Sequence, residues 1–138
     1  MPEQNQHTGR CLCGAVELRL SGLPISITYC HCESCRRATG GPVTVLVGYE
    51  LAQVAYPAEE PRHFQSSPGI DRPFCRHCGS RIGYTDARLA GRIYFHVGVL
   101  DHPERFAPTC HALEAERLSW LHIDDTLPRF DGFSVSRD

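Results

Sequence analysis

Cys30-His31-Cys32-Glu33-Ser34-Cys35 packs three thiols into six consecutive positions, and it stands between two further pairs, Cys11-Leu12-Cys13 and Cys75-Arg76-His77-Cys78. Seven of the chain's eight cysteines lie in these clusters; Cys110 stands alone. A closed structural zinc takes four protein ligands, whereas a working zinc holds three and leaves a position for water or substrate. Seven clustered thiols therefore suggest one closed centre and one open one. Disulfides compete for the same residues, but a CxC pair does not readily bridge to itself. The polar start, Met1-Pro2-Glu3-Gln4-Asn5-Gln6-His7, lacks the apolar stretch of a secretory signal, and no apolar run approaches membrane-spanning length. The expectation is a cytoplasmic protein with no membrane partner, in which such spacings point to metal rather than to disulfides.

The rest of the composition narrows the chemistry. At 138 residues the chain reads as one domain, residues 1–138. Its 41% hydrophobic content fills one modest core, and ten prolines and twelve glycines call for many turns between short elements. Metal binding would help so loop-rich a chain to fold, because its free energy is delivered as folding free energy. The formal charge of −2 becomes more negative once thiolates are counted, a poor match to a phosphate backbone, so no nucleic-acid partner is expected. Lysine is absent and all fourteen basic side chains are arginine. No lysine is present to form a Schiff base with a carbonyl substrate or to hold pyridoxal phosphate. If the protein handles aldehydes, a metal or a thiol must do it.

Period-two alternation over residues 15–20 and 25–29 predicts two half-buried strands, the second running into the CxCxxC cluster. Residues 42–49 and 92–99 are rich in β formers and read as more buried strands. Residues 62–65, 110–113 and 119–123 are weaker candidates. Helix is expected only over 33–38, ended by Gly40-Gly41-Pro42, while 113–118 is ambiguous. Residues 126–133 read as a closing loop and the last five as loose. The sum is a mainly β fold with little helix, its turns pinned by zinc.

Spacing permits two partitions of the thiols. Cys32, Cys35, Cys75 and Cys78 could form a paired CxxC site, or Cys11, Cys13, Cys75 and Cys78 could share one ion and leave Cys30, Cys32 and Cys35 to wrap another. The order of the motifs carries more. Gly9-Arg10-Cys11-Leu12-Cys13-Gly14-Ala15-Val16, then Cys30-His31-Cys32-Glu33-Ser34-Cys35-Arg36-Arg37, then Phe74-Cys75-Arg76-His77-Cys78-Gly79 strongly resembles the glutathione-dependent formaldehyde-activating enzymes, a family that includes the centromere protein V-like domains. Val97-Gly98-Val99-Leu100-Asp101, Pro108 with His111, Trp120, and Asp124-Asp125 with Leu127-Pro128 and Phe130 resemble the family's downstream signatures. The resemblance spans residues 9 to about 131.

What the resemblance implies is specific. The fold is a β-tent of twisted sheets. A structural zinc sits on Cys11, Cys13, Cys75 and Cys78, and a second, catalytic zinc on Cys30, Cys32 and Cys35. The activity is that of a carbon–sulfur lyase of the S-(hydroxymethyl)glutathione synthase type, joining glutathione and formaldehyde or a related small aldehyde. The chemistry agrees: a metal keeps a coordinating thiol deprotonated, and the thiolate is the form that attacks a carbonyl carbon. Around the open site, His31 is a candidate proton relay or alternative ligand. Arg36 and Arg37 are candidates to pair with a substrate carboxylate. His96, Asp101 and His111 are candidate pocket residues. Trp120 reads as core or pocket wall, His77 as surface, and Cys110 as a small buried hydrophobe outside both metals. The alternative function is a non-catalytic zinc module that binds a protein partner.

Overall fold

The computed structural model of the chain describes residues 5–138. Among these residues the elements run β1 Gln6–Arg10, β2 Glu17–Ser21, β3 Ser26–Cys30, α1 Glu33–Thr39, β4 Thr44–Glu50, β5 Val54–Ala55, β6 Arg62–Ser67, β7 Ile70–Phe74, β8 Gly83–Asp86, β9 Arg92–His96 and β10 Cys110–Ala112, with a few 3-10 turns between them. The fold is mainly β, as the sequence predicts. A small sheet has the order β1-β2-β5 and a seven-stranded sheet the order β10-β3-β4-β9-β8-β7-β6. β10 runs parallel to β3 and every other pairing is antiparallel.

Side-chain alternation across the large sheet creates two faces with different tasks. In β4 and β9 the register sets Val47 against Phe95 and Tyr49 against Ile93. These four face the main core, with Val16, Leu18 and Leu20 from the first part of the chain and Ile82, Leu100 and Phe106 from the later part. The opposite face carries Thr28 and Cys30 on β3, Leu46 on β4, Tyr94 on β9, Tyr84 on β8 and Arg72 on β7. It packs a second, smaller cluster around Cys30, Cys35, Leu46 and Tyr94. Gly48 belongs to this face, where it opposes Tyr94. A Cβ at Gly48 would stand 2.8 Å from the Tyr94 ring, so the absent side chain is what lets the ring lie over the strand.

Several elements differ from expectation. β1 reads as polar because its inward positions are His7 and Gly9, and it forms by pairing all five residues with β2. β7 contains Pro73, which marks against a strand. It is accommodated because the β8 ladder covers only Ile70 and Asp71 and ends before the proline. β8 lies in a stretch too short and too polar to stand out. Strand β9 stops at His96, and Val97–Val99 turns as a 3-10 helix. Residues 119–123 form no strand. Arg117 donates to the carbonyls of Leu118 and Leu121 and closes a turn there, leaving Trp120 66% exposed rather than in a core or pocket wall. The end of the chain is not loose: Arg137 binds Asp86 and the Tyr84 hydroxyl, and its guanidinium lies 4.0 Å from the Phe133 ring centre.

Candidate functional site

Two sulfur clusters sit on opposite faces of the large sheet. Cys11 and Cys13 follow β1, and Cys75 and Cys78 follow β7, so the cluster joins segments far apart in sequence. The Sγ atoms of Cys11 and Cys13 are 3.7 Å apart and those of Cys13 and Cys75 3.8 Å, and all four sulfurs lie within 4.8 Å of one another. Tetrahedral ligands at a zinc–sulfur distance of about 2.3 Å stand about 3.8 Å apart, so the spacing fits a metal. The backbone is shaped around these thiols. Cys11 Sγ accepts from Val16 N and Cys75 Sγ from His77 N. Gly79, at φ 75°, closes the turn by donating to Cys75 O; a left-handed residue here favours glycine. The hydroxyl and backbone of Ser80 hold the Cys78 thiol down to about 5. Cys11 and Cys75 are buried in the main core.

The second cluster is local. β3 delivers Cys30, the chain turns through His31, and Cys32 caps α1 by accepting from Cys35 N at 3.2 Å. Cys30 Sγ is 3.4 Å from Cys32 Sγ and 3.8 Å from Cys35 Sγ. This spacing again fits a shared ion, and no fourth ligand atom joins the three among the described residues. The touching thiols share protons unequally: contact with Cys32 and Cys35 pushes Cys30 up, and contact with Cys30 pulls Cys32 well down. Arg72 also favours the Cys32 and Cys35 thiolates through its charge.

The trio lies on a cavity of about 310 Å³. Leu46, Tyr84 and Tyr94 line it with the three cysteines, and Phe133 and Arg137 cover it from the C-terminal segment. Tyr84 and Tyr94 stack with ring centres 5.2 Å apart. Asp86, 3% exposed, pairs with Arg88 and Arg137; its hydrogen bonds to Arg88 hold the carboxyl below its usual range. His96 is on the cavity side of β9 but beneath the surface. Its Nδ1 meets Thr44 Oγ1 at 2.8 Å, and burial, with Arg72 and Arg81 adding to it, lowers its pKa to about 4. The imidazole is neutral at pH 7.

The remaining expected site residues fall elsewhere. Arg36 donates to the carbonyls of His31 at 2.6 Å and Glu116 at 2.7 Å, fastening the CxCxxC turn to residues 114–116. Arg37 pairs with Glu33 on the helix surface. Neither lines the cavity beside the trio. Asp101 accepts from Thr8, and His77 pairs with Glu59 at the surface. Cys110 is half-buried on β10 and outside both sulfur clusters.

His31 and His111 are buried and lie outside the cavity lining. His31 Nε2 meets His111 Nδ1 at 2.9 Å, and His111 Nε2 meets Asp125 Oδ2 at 2.8 Å. Glu114, held by Arg117 and Arg129, stands 3.3 Å from His31 Nε2. Two nitrogens bound at about 2.05 Å to one tetrahedral ion stand about 3.3 Å apart, so the shorter separation is that of a hydrogen bond. The network ties the CxCxxC turn to β10 and to the C-terminal segment. His111 thus sits in this buried network and outside the cavity lining.

A family model described as glutathione-dependent formaldehyde-activating enzyme matches residues 6–116. An uncharacterized lyase of Schizosaccharomyces pombe is 30% identical over 90 residues, 64% of this chain and 63% of the relative, so the match spans less than two thirds of that protein's length. A crystal structure of a Rhodobacter sphaeroides protein aligns with a TM-score of 0.55 at 26% identity, over 68% of this chain and 87% of that one.

Proposed function

The chain belongs to the glutathione-dependent formaldehyde-activating enzyme family, and on that premise we propose that it is a zinc-dependent carbon–sulfur lyase acting on thiol–aldehyde adducts. The observation that carries this reading is the trio of Cys30, Cys32 and Cys35, spaced for a metal, with no fourth ligand among the described residues, and lining a cavity. A scaffold has no need of an unfilled ligand position opening on a cavity. Cys30, Cys32 and Cys35 would hold the catalytic zinc, and Cys11, Cys13, Cys75 and Cys78 the structural one. The catalytic ion supplies positive charge that keeps thiols deprotonated and a fourth position suited to a soft external thiolate.

The reaction needs little else from the protein. The thiol sulfur adds to the aldehyde carbon, and the thiol's proton ends on the carbonyl oxygen; cleavage is the reverse. β3 and α1 hold the three sulfurs in place. The stacked Tyr84 and Tyr94, with Phe133 above, supply apolar walls that limit water at the reacting atoms. Glutathione is the thiol and formaldehyde or a related small aldehyde the electrophile that the family's description supports.

Cobalt substitution tests the reading. Titrating glutathione into the cobalt-loaded protein should increase thiolate-to-metal charge-transfer absorption, and Cys35→Ser should abolish the change. A spectrum that ignores every thiol while both metals are bound would favour a non-catalytic, partner-binding zinc module instead.

A further inference from the structure

We propose that Arg72 forms a carboxylate-binding subsite in the cavity beside the cysteine trio, which selects thiols that carry an acidic group. The inference deepens the thiol–aldehyde reading and rests on it for the role of the trio.

The sheet register places this arginine. Within β7, Ile70, Arg72 and Phe74 share one face, so a cation stands between two apolar residues on the side that looks into the cavity. Arg72 lines the cavity with Cys30, Cys32 and Cys35 and is only 6% exposed. A buried arginine is normally paired with a carboxylate, because an uncompensated buried charge is costly. Arg72 has no such partner among the described residues. Its Nε donates to Ser66 Oγ at 3.0 Å, its guanidinium lies 5.6 Å from the Tyr84 ring centre, and its Nη1 is buried with no hydrogen-bond partner.

The other cations of the cavity differ: Arg88 and Arg137 are both taken by Asp86. Arg72 is therefore the cavity cation with donor capacity to spare, and Ser66 and Tyr84 fix its plane. Three thiolates around a divalent ion leave one net negative charge, which Arg72 offsets at rest. That role alone leaves Nη1 unused. A planar guanidinium with an unpartnered N–H suits a carboxylate oxygen, and the cavity is large enough for a small acidic thiol.

The test uses 3-mercaptopropionate and its neutral isostere 3-mercaptopropionamide, titrated into the cobalt-loaded protein. Wild type should bind the acid at least about 10-fold more tightly than the amide, the scale of one hydrogen bond between charged groups. Arg72→Gln should bring the ratio close to one, the acid losing about 10-fold more affinity than the amide; Arg72→Met serves if the glutamine variant does not fold. A ratio that persists without the arginine, no preference in wild type, or equal weakening of both thiols would each overturn the proposal, the last by showing that Arg72 only offsets the trio's charge. The thiol-free 3-(methylthio)propionate separates this inference from the thiol reading. Followed by ligand-observed NMR, it should bind wild type and not Arg72→Gln even if the cobalt spectrum ignores thiols. Its failure to bind wild type would overturn the subsite.

Discussion

His111→Ala removes the centre of the buried network that anchors the CxCxxC turn, and its cost can be assembled from the contacts. The bond to the Asp125 carboxylate involves a charged acceptor whose side chain is 20% exposed, worth about 1.5 kcal/mol at the low end of such bonds. His31 Nε2 loses its closest partner, but Glu114 Oε2 remains 3.3 Å away, so this loss is about 1 kcal/mol. The Tyr29 ring, stacked on His111 with centres 4.5 Å apart, loses a contact worth about 0.5–1 kcal/mol. The total is about 3–3.5 kcal/mol. For a domain of this size each kcal/mol lowers Tm by about 3–4 °C, so fully metal-loaded His111→Ala should melt about 10–15 °C below wild type by circular dichroism. A double-mutant cycle with Asp125→Asn should give a coupling of about 1–2 kcal/mol. A drop under about 4 °C, or zero coupling, would refute the claim that this chain of contacts holds the turn in place.

Cys110→Ala should keep the full metal content and most of the stability, since its sulfur lies outside both clusters and donates only a long hydrogen bond to Thr28 Oγ1 at 3.7 Å; a fall in zinc per chain by elemental analysis would contradict this. His96 gives a pH dependence. Its pKa is lowered to about 4 in the folded state against about 6.5 unfolded, so between those values the unfolded chain binds more protons and stability falls as pH falls. The full effect is on the order of 3 kcal/mol, complete once pH passes below the folded value. His96→Gln should remove this part of the slope between pH 6.5 and 4.5, and identical slopes in urea titrations of the two proteins would show that the imidazole is not buried as described.

The geometry of the Cys30, Cys32 and Cys35 trio was legible because the information is local. The CxCxxC spacing brings its three sulfurs together locally, whereas spacing left open which pair shares an ion with Cys75 and Cys78; the structure brings together the two groups that the resemblance implied. The alternating strands β2 and β3 were legible from local pattern, as Leu18 and Leu20 in β2 announce their buried face, and β4 from its run of β formers. The cavity was not. Arg72, Tyr84 and Tyr94 come from three strands, and only the pairing of β7 with β8 and of β8 with β9 puts them on one face. One local sign was present in Ile70-Asp71-Arg72-Pro73-Phe74, where an arginine occupies the apolar face of an alternating stretch; Pro73 hid it by arguing against a strand. Arg36 and Arg37 drew attention by being next to the trio in sequence, yet the helix turns one toward backbone carbonyls and the other toward solvent. His111 could be read as a site residue from sequence because histidine serves in both roles; what separates them is the pairing of β10 with β3 beside the Asp125 segment, which sequence does not display.

Metal counting by native mass spectrometry on three proteins tests the central claim of two zinc centres with separate roles. Structural zinc contributes about 10–16 kcal/mol in small zinc peptides, comparable to or above the about 5–15 kcal/mol net stability of a whole domain, and Cys75 binds within a cluster that joins segments far apart in sequence. The account predicts two zinc ions in wild type, one zinc in a folded Cys32→Ser, and no soluble folded protein from Cys75→Ser. A folded Cys75→Ser beside an unfolded Cys32→Ser, or a wild type that binds a single zinc, would contradict it.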